Sequence, residues 1–300
     1  MFADSGLRDA AEVDTKYYSD VNGVPLSEGR VTHLGLAAGE LAQRVVCTGS
    51  LSRAERLRDL FDDPGECFTL TSPRGFTTFT GTFEGTALSV VATGMGAPMM
   101  DFFVREARAI TSGPMVIIRF GSCGGLGPSA PPGTLAVCTG AVDVRRNADT
   151  FFEPNFEPNL NGAQFYHISN VTAKPDSELQ SALSAQLRAA LGAATVEGLN
   201  ASCDSFYASQ GRRDLNFDDR NEDLIKSLKL KWPRTISMEM ETFHLLHLAN
   251  YSTGNSIRAA AAAVVCANRD STDIIDTSDL HRLETCGGRA ILKALASAKL

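Results

Sequence analysis

The sequence predicts a single α/β domain in which helices flank a central twisted β-sheet that is mixed but largely parallel. Segments with the patterns of strands and helices alternate along most of the chain, which is the order that such a sheet requires. Residues 115–118 are all apolar, as expected of a central strand covered on both faces. No long linker rich in Pro, Gly or Ser divides the 300 residues. We therefore expect a partly ordered leader at residues 1–30 and one domain at residues 31–300.

Periodicity identifies the elements one after another. Alternation with a period of two, or a short apolar run, indicates a strand, whereas apolar residues three to four positions apart indicate a helix. In the first half of the chain the patterns predict a short strand at 44–48, a charged amphipathic helix at 52–61, an alternating strand at 76–83, an apolar strand at 87–93, a helix that follows the turn 94–98 and ends at 110, and strands beginning at 115 and 133. In the second half they predict a surface loop at 147–164, a helix at 177–191 with Leu179, Leu183 and Leu187 on one face, a strand at 195–204, a helix at 240–250, a buried strand at 259–267 and a closing helix at 283–298.

Composition excludes several classes of function. The formal net charge is −7 and no long basic run occurs, so we expect neither nucleic acid nor an anionic membrane surface as a partner. No apolar stretch approaches the roughly 20 residues that span a bilayer, and the N-terminus lacks a signal pattern. The seven Cys are scattered and odd in number, which favours free thiols in a reducing compartment. We expect a cytoplasmic protein without disulfides.

Arg119 ends the apolar run and leads directly into Phe120-Gly121-Ser122-Cys123-Gly124-Gly125. A charge at the end of a central strand belongs at the rim of the sheet, where open α/β sheets bind ligands. The glycines would let backbone N–H groups approach an anion, and Ser122 adds a hydroxyl donor. This pattern indicates a phosphate site. An Arg paired with a carboxylate at a tight strand–loop turn explains the same residues equally well.

Three further arginines also stand beside turn residues. Any one of them could be an ordinary surface cation, but together they could form a phosphate cradle if they converge. Ser50 or Ser52 could simply cap a helix at Arg53, although such a helix start is also a ready anion site. The three are Arg53 after Gly49-Ser50, Arg74 in Ser72-Pro73-Arg74-Gly75, and Arg212 after Gln210-Gly211.

Two more segments carry candidate binding residues. In Glu239-Met240-Glu241, the carboxylates could complement a helix dipole, or one Glu could accept two hydrogen bonds from a vicinal diol. In residues 206–212, Phe206 offers a stacking face and Gln210 with Arg212 could read a planar heterocycle. A loop with an ordinary buried Phe explains the second segment as well.

The sequence offers little support for other chemistries. No Ser-His-Asp order, metal-ligand spacing or Walker loop occurs in it. His244 and His247 lie three residues apart on a predicted helix, but no carboxylate or Cys at matching spacing completes a metal site. We therefore expect neither a metal nor a cofactor.

Eight segments, taken in their order along the chain, resemble the nucleoside phosphorylase-I family and, within it, the uridine-specific members. The match runs from about His33 to the last helix, and in this family a Gln-Gly-Arg element distinguishes uridine-specific from purine-specific members. The segments are residues 33–36, 49–53, 74–78, 93–96, 119–125, 206–212, 239–241 and 268–269.

The resemblance implies a role for each matching residue. The ligands of phosphate would be Gly49, Arg53, Arg119 and Ser122, joined by Arg74 from a neighbouring subunit. The ribose would contact Glu239, Met240 and Glu241, and its 5′-hydroxyl would meet His33 of the neighbour. The base would contact Phe206, Gln210, Arg212, Cys266 and Ala267.

The implied reaction is the reversible phosphorolysis of uridine, with inorganic phosphate as co-substrate and nucleophile and no cofactor. Its catalytic residues would be Arg119, Arg212, Gln210 and Glu241. The run 119–126 looks more like that of eukaryotic members, which tend to be dimers, so we expect a homodimer rather than a hexamer. Gly75 and Met99 stand where bacterial members have a Glu and a Ser that bind a monovalent cation, so the resemblance does not extend to that ion site, and the sequence leaves open whether an ion binds at the interface.

Three alternatives stay open. Asp270 could serve a purine nucleoside phosphorylase, in which an Asp near this strand end protonates the base. A nucleosidase of the same fold would hydrolyse the glycosidic bond, although it would not need phosphate-directed arginines. A storage or nucleoside-binding protein of this fold would have no activity, because fold does not fix function.

Overall fold

The computed structural model describes residues 22–152 and 165–300. Its strands are β1 (Leu26–Ser27), β2 (Arg30–Val31), β3 (Arg44–Thr48), β4 (Phe68–Thr71), β5 (Thr77–Phe83), β6 (Thr86–Ala92), β7 (Met115–Gly125), β8 (Leu135–Arg146), β9 (Tyr166–Ile168), β10 (Thr195–Cys203), β11 (Thr235–Glu239) and β12 (Ile257–Asn268). Its helices are α1 (Leu51–Arg58), α2 (Ala97–Ile110), α3 (Ala148–Phe152), α4 (Ser177–Leu191), α5 (Leu224–Lys231), α6 (Thr242–Asn250), α7 (Thr277–Arg282) and α8 (Gly288–Ser297).

One large sheet organises the chain, in the order β11-β10-β8-β12-β7-β3-β6-β5-β4, with β9 beside β8. The pairings at its centre are mostly parallel, whereas β4, β5 and β6 are joined by antiparallel pairings. The prediction of a single α/β domain with a mixed, largely parallel sheet is confirmed. The small hairpin of β1 and β2 lies at the end of the predicted leader, and residues 1–21 of that leader lie outside the described residues.

The sheet also closes on itself, which the sequence did not indicate. Strand β11 pairs in an antiparallel sense with β7, through Ser237 opposite Gly125 and Met238 opposite Gly124. Strands β7, β12, β8, β10 and β11 consequently form a closed ring. Closure removes the free edge that an open sheet would leave beside β11.

The helices cover both faces of the sheet. Helices α1, α4 and α8 pack on one face together with Val116 and Ile118. Helices α2 and α6 pack on the other face together with Met115 and Ile117. This two-sided cover explains why the run at residues 115–118 is apolar throughout, since successive side chains of a strand point to opposite faces.

Local signals account for the helix boundaries. The Asp176 side chain accepts a hydrogen bond from the backbone N–H of Leu179 and so caps α4. The same helix ends at Gly192, whose φ of 56° is readily adopted only by glycine. The predicted helix at 177–191 is therefore confirmed, with a buried face formed by Leu179, Leu183 and Leu187.

The structure corrects several predicted boundaries. Arg119 does not end its strand, because β7 continues to Gly125, where β11 and β12 pair with it. The predicted closing helix at 283–298 begins with a π-helical turn at Leu283–Gly287, and α8 follows it. Part of the predicted surface loop at 147–164 forms α3, while residues 153–164 lie outside the described residues. Periodicity did not identify β4, α5 or β11.

Within residues 22–152 and 165–300, no helix has both the length and the hydropathy needed to cross a membrane.

Gly125 should be essential for ring closure. A Cβ at this position would collide with the backbone oxygen of Ala130 and lie 2.9 Å from Cγ1 of Val265. Gly125→Ala should therefore lower the free energy of unfolding by about 2 kcal/mol, because an overpacked core must shift its backbone. Urea denaturation measures this loss.

Gly65→Ala is the matched control, since the nearest atom to its new Cβ would be Oδ1 of Asp63 at 3.8 Å. Equal stability of Gly125→Ala and Gly65→Ala would contradict the role assigned to Gly125.

Candidate active site

The carboxyl ends of several central strands surround a cavity of about 310 Å³. Most of the predicted site residues converge there, although they are far apart in sequence. The predicted residues that line it are Gly49, Arg53, Arg119, Ser122, Phe206, Gln210, Arg212, Glu239, Met240, Glu241, Cys266 and Ala267.

Arg119 forms the buried charge centre of this cavity. It projects from β7, is only 4% exposed, and lies 3.2 Å from Oε2 of Glu239. Its Nη2 also donates to Oε2 of Glu241. Burial alone would lower the pKa of Arg119, but Glu241 and Glu239 raise it above its usual value. The carboxylate pairing considered for this residue is therefore present, and it occurs within the candidate site.

One guanidinium nitrogen of Arg119 is unpartnered. Among the described residues, its buried Nη1 has no hydrogen-bond partner. Leaving a buried donor unsatisfied is costly, so this atom needs an acceptor that the described residues do not supply.

Glu239 and Glu241 have different hydrogen-bonding environments. Glu239 accepts hydrogen bonds from the Ser202 hydroxyl at 2.6 Å and from the backbone N–H groups of Glu241 and Thr242 at 2.9 and 3.0 Å. It thereby satisfies N–H groups at the start of α6. Burial raises the pKa of Glu239 above its ordinary value, although Arg119 opposes this effect.

Glu241 is bound by fewer donors. Its carboxylate accepts from the backbone N–H of Gly96 and from Arg119. Burial would raise its pKa, but Arg119 and the Gly96 N–H hold the pKa of Glu241 below its ordinary value. A carboxylate offers about four acceptor sites, so Glu241 keeps capacity for two further donors.

The start of α1 contributes a second cation. Ser50 caps this helix through its hydroxyl, which accepts from the backbone N–H of Arg53. Arg53 is 6% exposed, and its Nη2 donates to Oγ of Ser122 at 2.5 Å. Gly49 and Ser50 line the cavity beside it, so backbone donors and a guanidinium meet where the helix dipole favours an anion.

The loop after β10 supplies a third group. Gln210 is 2% exposed, and its Oε1 accepts from Nη2 of Arg269 at 3.0 Å. Arg212 lies over the Phe206 ring, with Cζ 3.8 Å from the ring centroid, and its Nε donates to the Phe206 carbonyl oxygen at 2.8 Å. Phe206 is thus more than an ordinary buried Phe, since 45% of it is exposed beside the cavity.

Two predicted residues do not line the cavity of their own chain. Arg74 is exposed in the turn between β4 and β5. His33 stacks on Phe102 with ring centroids 3.9 Å apart, and its Nδ1 lies 2.5 Å from Oε1 of the buried Glu106. The contact with Glu106 and the stacking on Phe102 together fix the orientation of the His33 ring. Donation of His33 and Arg74 to a neighbouring subunit stays a prediction.

Residue-by-residue reasoning missed some of the cavity. The resemblance includes Arg269 only in the segment 268–269 and gives it no role, yet its side chain contacts Gln210 and lines the cavity. A signal for Arg269 is present in the sequence, since it follows a buried strand directly, just as Arg119 follows the apolar run at residues 115–118. Met95 and Cys123 also line the cavity; both lie in segments that match the family, but the resemblance assigns a role to neither.

Other candidates lie elsewhere. Asp270 pairs with Lys229, with 2.6 Å between Oδ2 and Nζ, and is outside the cavity lining. In residues 22–152 and 165–300, no group of His, Cys, Asp and Glu side chains has the arrangement of a metal site.

Comparison with known proteins gives the family. A sequence profile of the phosphorylase superfamily matches residues 43–295. The uridine phosphorylase of Thermococcus kodakarensis is 30% identical over 244 residues, which cover 81% of this chain and 79% of that protein. The Escherichia coli uridine phosphorylase is 28% identical over 273 residues, covering 90% and 98% respectively.

A solved structure gives the same result. A chain from a study of two uridine phosphorylases of the oomycete Phytophthora capsici superposes with a TM-score of 0.88 at 44% identity. The superposition covers 94% of this chain and 100% of that chain. The chain therefore belongs to the phosphorylase superfamily and is an enzyme of the nucleoside phosphorylase type, a pentosyltransferase.

Proposed function

We propose that the protein catalyses the reversible phosphorolysis of uridine to uracil and ribose 1-phosphate. The observation that carries this proposal is the convergence on one cavity of three groups: Gln210 with Arg212, Glu241 with Arg119, and Arg53 with Ser122. These groups suit a pyrimidine base, a ribose and a phosphate. The uridine phosphorylases among the relatives support the same substrate.

Phosphate would bind between α1 and β7. Arg53 and the unpartnered Nη1 of Arg119 are fixed cations, and Ser122 adds a hydroxyl. A guanidinium matches a phosphate oxygen pair well because its donors are planar and always charged. The dipole of α1 adds to the attraction through Gly49 and Ser50. Arg74 of a neighbouring subunit would complete this site in a homodimer.

Ribose would bind to Glu241 rather than Glu239. The two free acceptor sites of Glu241 match the vicinal 2′- and 3′-hydroxyls, whereas the acceptor sites of Glu239 are taken by Ser202 and the start of α6. Met240 would pack beneath the sugar. Glu239 would then act by holding Arg119 and the first turn of α6.

The base would be read by Gln210 and Arg212. As the glycosidic bond breaks, negative charge develops on uracil, and fixed donors at that point lower the barrier because they require little reorganisation. Arg269 would orient the Gln210 amide by donating to its Oε1, which directs the amide N–H₂ group to other acceptors. Phosphate attacks the oxocarbenium-like sugar, so no covalent intermediate with the enzyme is needed.

The location of Asp270 argues against the purine alternative. Protonation of a purine base requires an acid within hydrogen-bond reach. The Asp270 carboxylate is instead held by Lys229 and lies outside the cavity lining.

Base release tests the proposal directly. Uridine and inosine are each incubated with the enzyme, with and without inorganic phosphate, and the free base is measured. We expect uracil to appear only with phosphate, and little hypoxanthine. Phosphate-independent release would identify a nucleosidase, faster release from inosine a purine enzyme, and no release from either a binding protein.

Arg212→Ala should lower kcat/KM for uridine about a hundredfold or more, because a fixed charge opposite the developing negative charge is lost. The KM for phosphate should change little, since Arg212 contacts Phe206 and not the Arg53 group. Steady-state kinetics with each substrate varied in turn measures both values.

Arg213→Ala is the matched control, because the adjacent Arg213 is exposed and does not line the cavity. Wild-type turnover by Arg212→Ala would exclude the base-reading role.

Glu241→Gln should reduce the preference for uridine over 2′-deoxyuridine, because a neutral amide accepts hydrogen bonds from hydroxyls less strongly than a carboxylate does. In the wild-type enzyme the lowered pKa of Glu241 keeps this carboxylate ionised as the pH falls. The KM for uridine should therefore stay nearly constant from pH 7 to about pH 5. A preference ratio unchanged by Glu241→Gln would contradict the ribose assignment.

A further inference from the structure

We infer that Glu284 is a positioning residue for phosphate, which it serves by holding Arg53 in the orientation that presents its guanidinium to the cavity. The inference rests on the proposed function in so far as the anion is the phosphate co-substrate. Glu284 does not itself line the cavity, so it acts through Arg53.

Glu284 holds two arginines of one helix face. Its Oε1 accepts from Nε of Arg53 at 3.0 Å, and its Oε2 accepts from Nη1 of Arg56. Arg53 and Arg56 are three residues apart in α1, so both side chains leave the helix on the same side. One carboxylate thus bridges both guanidinium groups.

The position of Glu284 is fixed by the π-helical turn between α7 and α8. Glu284 is 4% exposed and the preceding Leu283 is fully buried. The backbone at the end of the turn and at the first residue of α8 lies close to its neighbours, because a Cβ on Gly287 would lie 2.7 Å from Cδ1 of Leu135 and one on Gly288 would lie 2.7 Å from Cδ2 of Leu57. Turns of this kind are rare and occur often at functional sites.

This contact determines which nitrogens of Arg53 face the cavity. With Nε bound to Glu284, the planar guanidinium has a defined orientation, and Nη2 reaches Oγ of Ser122 at 2.5 Å. Without the carboxylate, Arg53 would have other rotamers available and would lose order on which phosphate binding depends. The loss of Glu284 would therefore weaken phosphate binding. Gln210 and Arg212 bind other partners, so binding of the base should not change.

A positioning role for Glu284 and a purely electrostatic effect of its charge predict opposite changes in phosphate affinity. Removing the Glu284 charge makes the surroundings of the cavity more positive, which by itself would tighten phosphate binding. Loss of the Arg53 orientation would weaken it. The sign of the change therefore separates the two effects.

The test compares Glu284→Gln with the wild-type enzyme. We expect the KM for phosphate to rise about tenfold or more, as for other residues that orient a ligand-binding side chain, with the KM for uridine unchanged within about twofold. Calorimetric titration with inorganic phosphate should show the same loss of affinity. Unchanged or tighter phosphate binding would overturn the inference.

Two further variants separate positioning from folding. Ile110→Ala removes a buried side chain at the end of α2, on the face of the sheet opposite to α1 and α8, so it should lower stability without a selective effect on phosphate; an equal rise in its phosphate KM would overturn the inference. Glu284→Asp keeps the charge but shortens the side chain, and its phosphate KM should also rise. If Glu284→Gln does not fold, an unchanged phosphate KM in Glu284→Asp overturns the inference.

The wild-type enzyme separates this inference from the proposed function. If it releases no uracil, the proposed function fails, while calorimetric titration with phosphate still tests Glu284.

Discussion

The buried charge of Arg119 is the interaction on which the candidate site depends. Arg119 is only 4% exposed, and its buried guanidinium is tolerable only if carboxylates surround it; these come from the end of β11 and the start of α6. Removing one partner from such a buried group typically costs about 3–5 kcal/mol. Arg119 therefore ties β7, β11 and α6 together at the point where the cavity forms.

Buried carboxylates hold several of the candidate binding residues in place. Glu239 holds Arg119 and the first turn of α6, Glu284 holds Arg53, and Glu106 holds His33 through its ring and backbone. Each of these carboxylates offsets the cost of burying the cation beside it. Arginines can therefore be buried at a site for an anion, even though the chain as a whole has a net charge of −7. The acidic residues thus contribute order, and the donors left free on the arginines determine what the cavity can bind.

The glycines of β7 have a different role from the one their sequence suggests. We expected them to let backbone N–H groups approach an anion, as they would in a loop. In the structure they allow close packing, since a Cβ on Gly121 would collide with Arg119 and one on Gly124 would lie 3.1 Å from Nε of Arg269. Small residues here make room for two arginine side chains and for the closure of the ring by β11.

The sequence by itself determined the fold class, most central strands and helices, and the identity of most cavity residues. Apolar runs and helical periodicity are local properties, and order along the chain made the family resemblance specific. Tertiary structure decided which charges meet. The pairing of Arg119 with Glu241 spans 122 residues and that of Arg53 with Glu284 spans 231, and no local pattern encodes contacts at such separations. Ring closure by β11 and the contact of Arg269 with Gln210 depend likewise on packing between distant segments, which only the folded chain brings together.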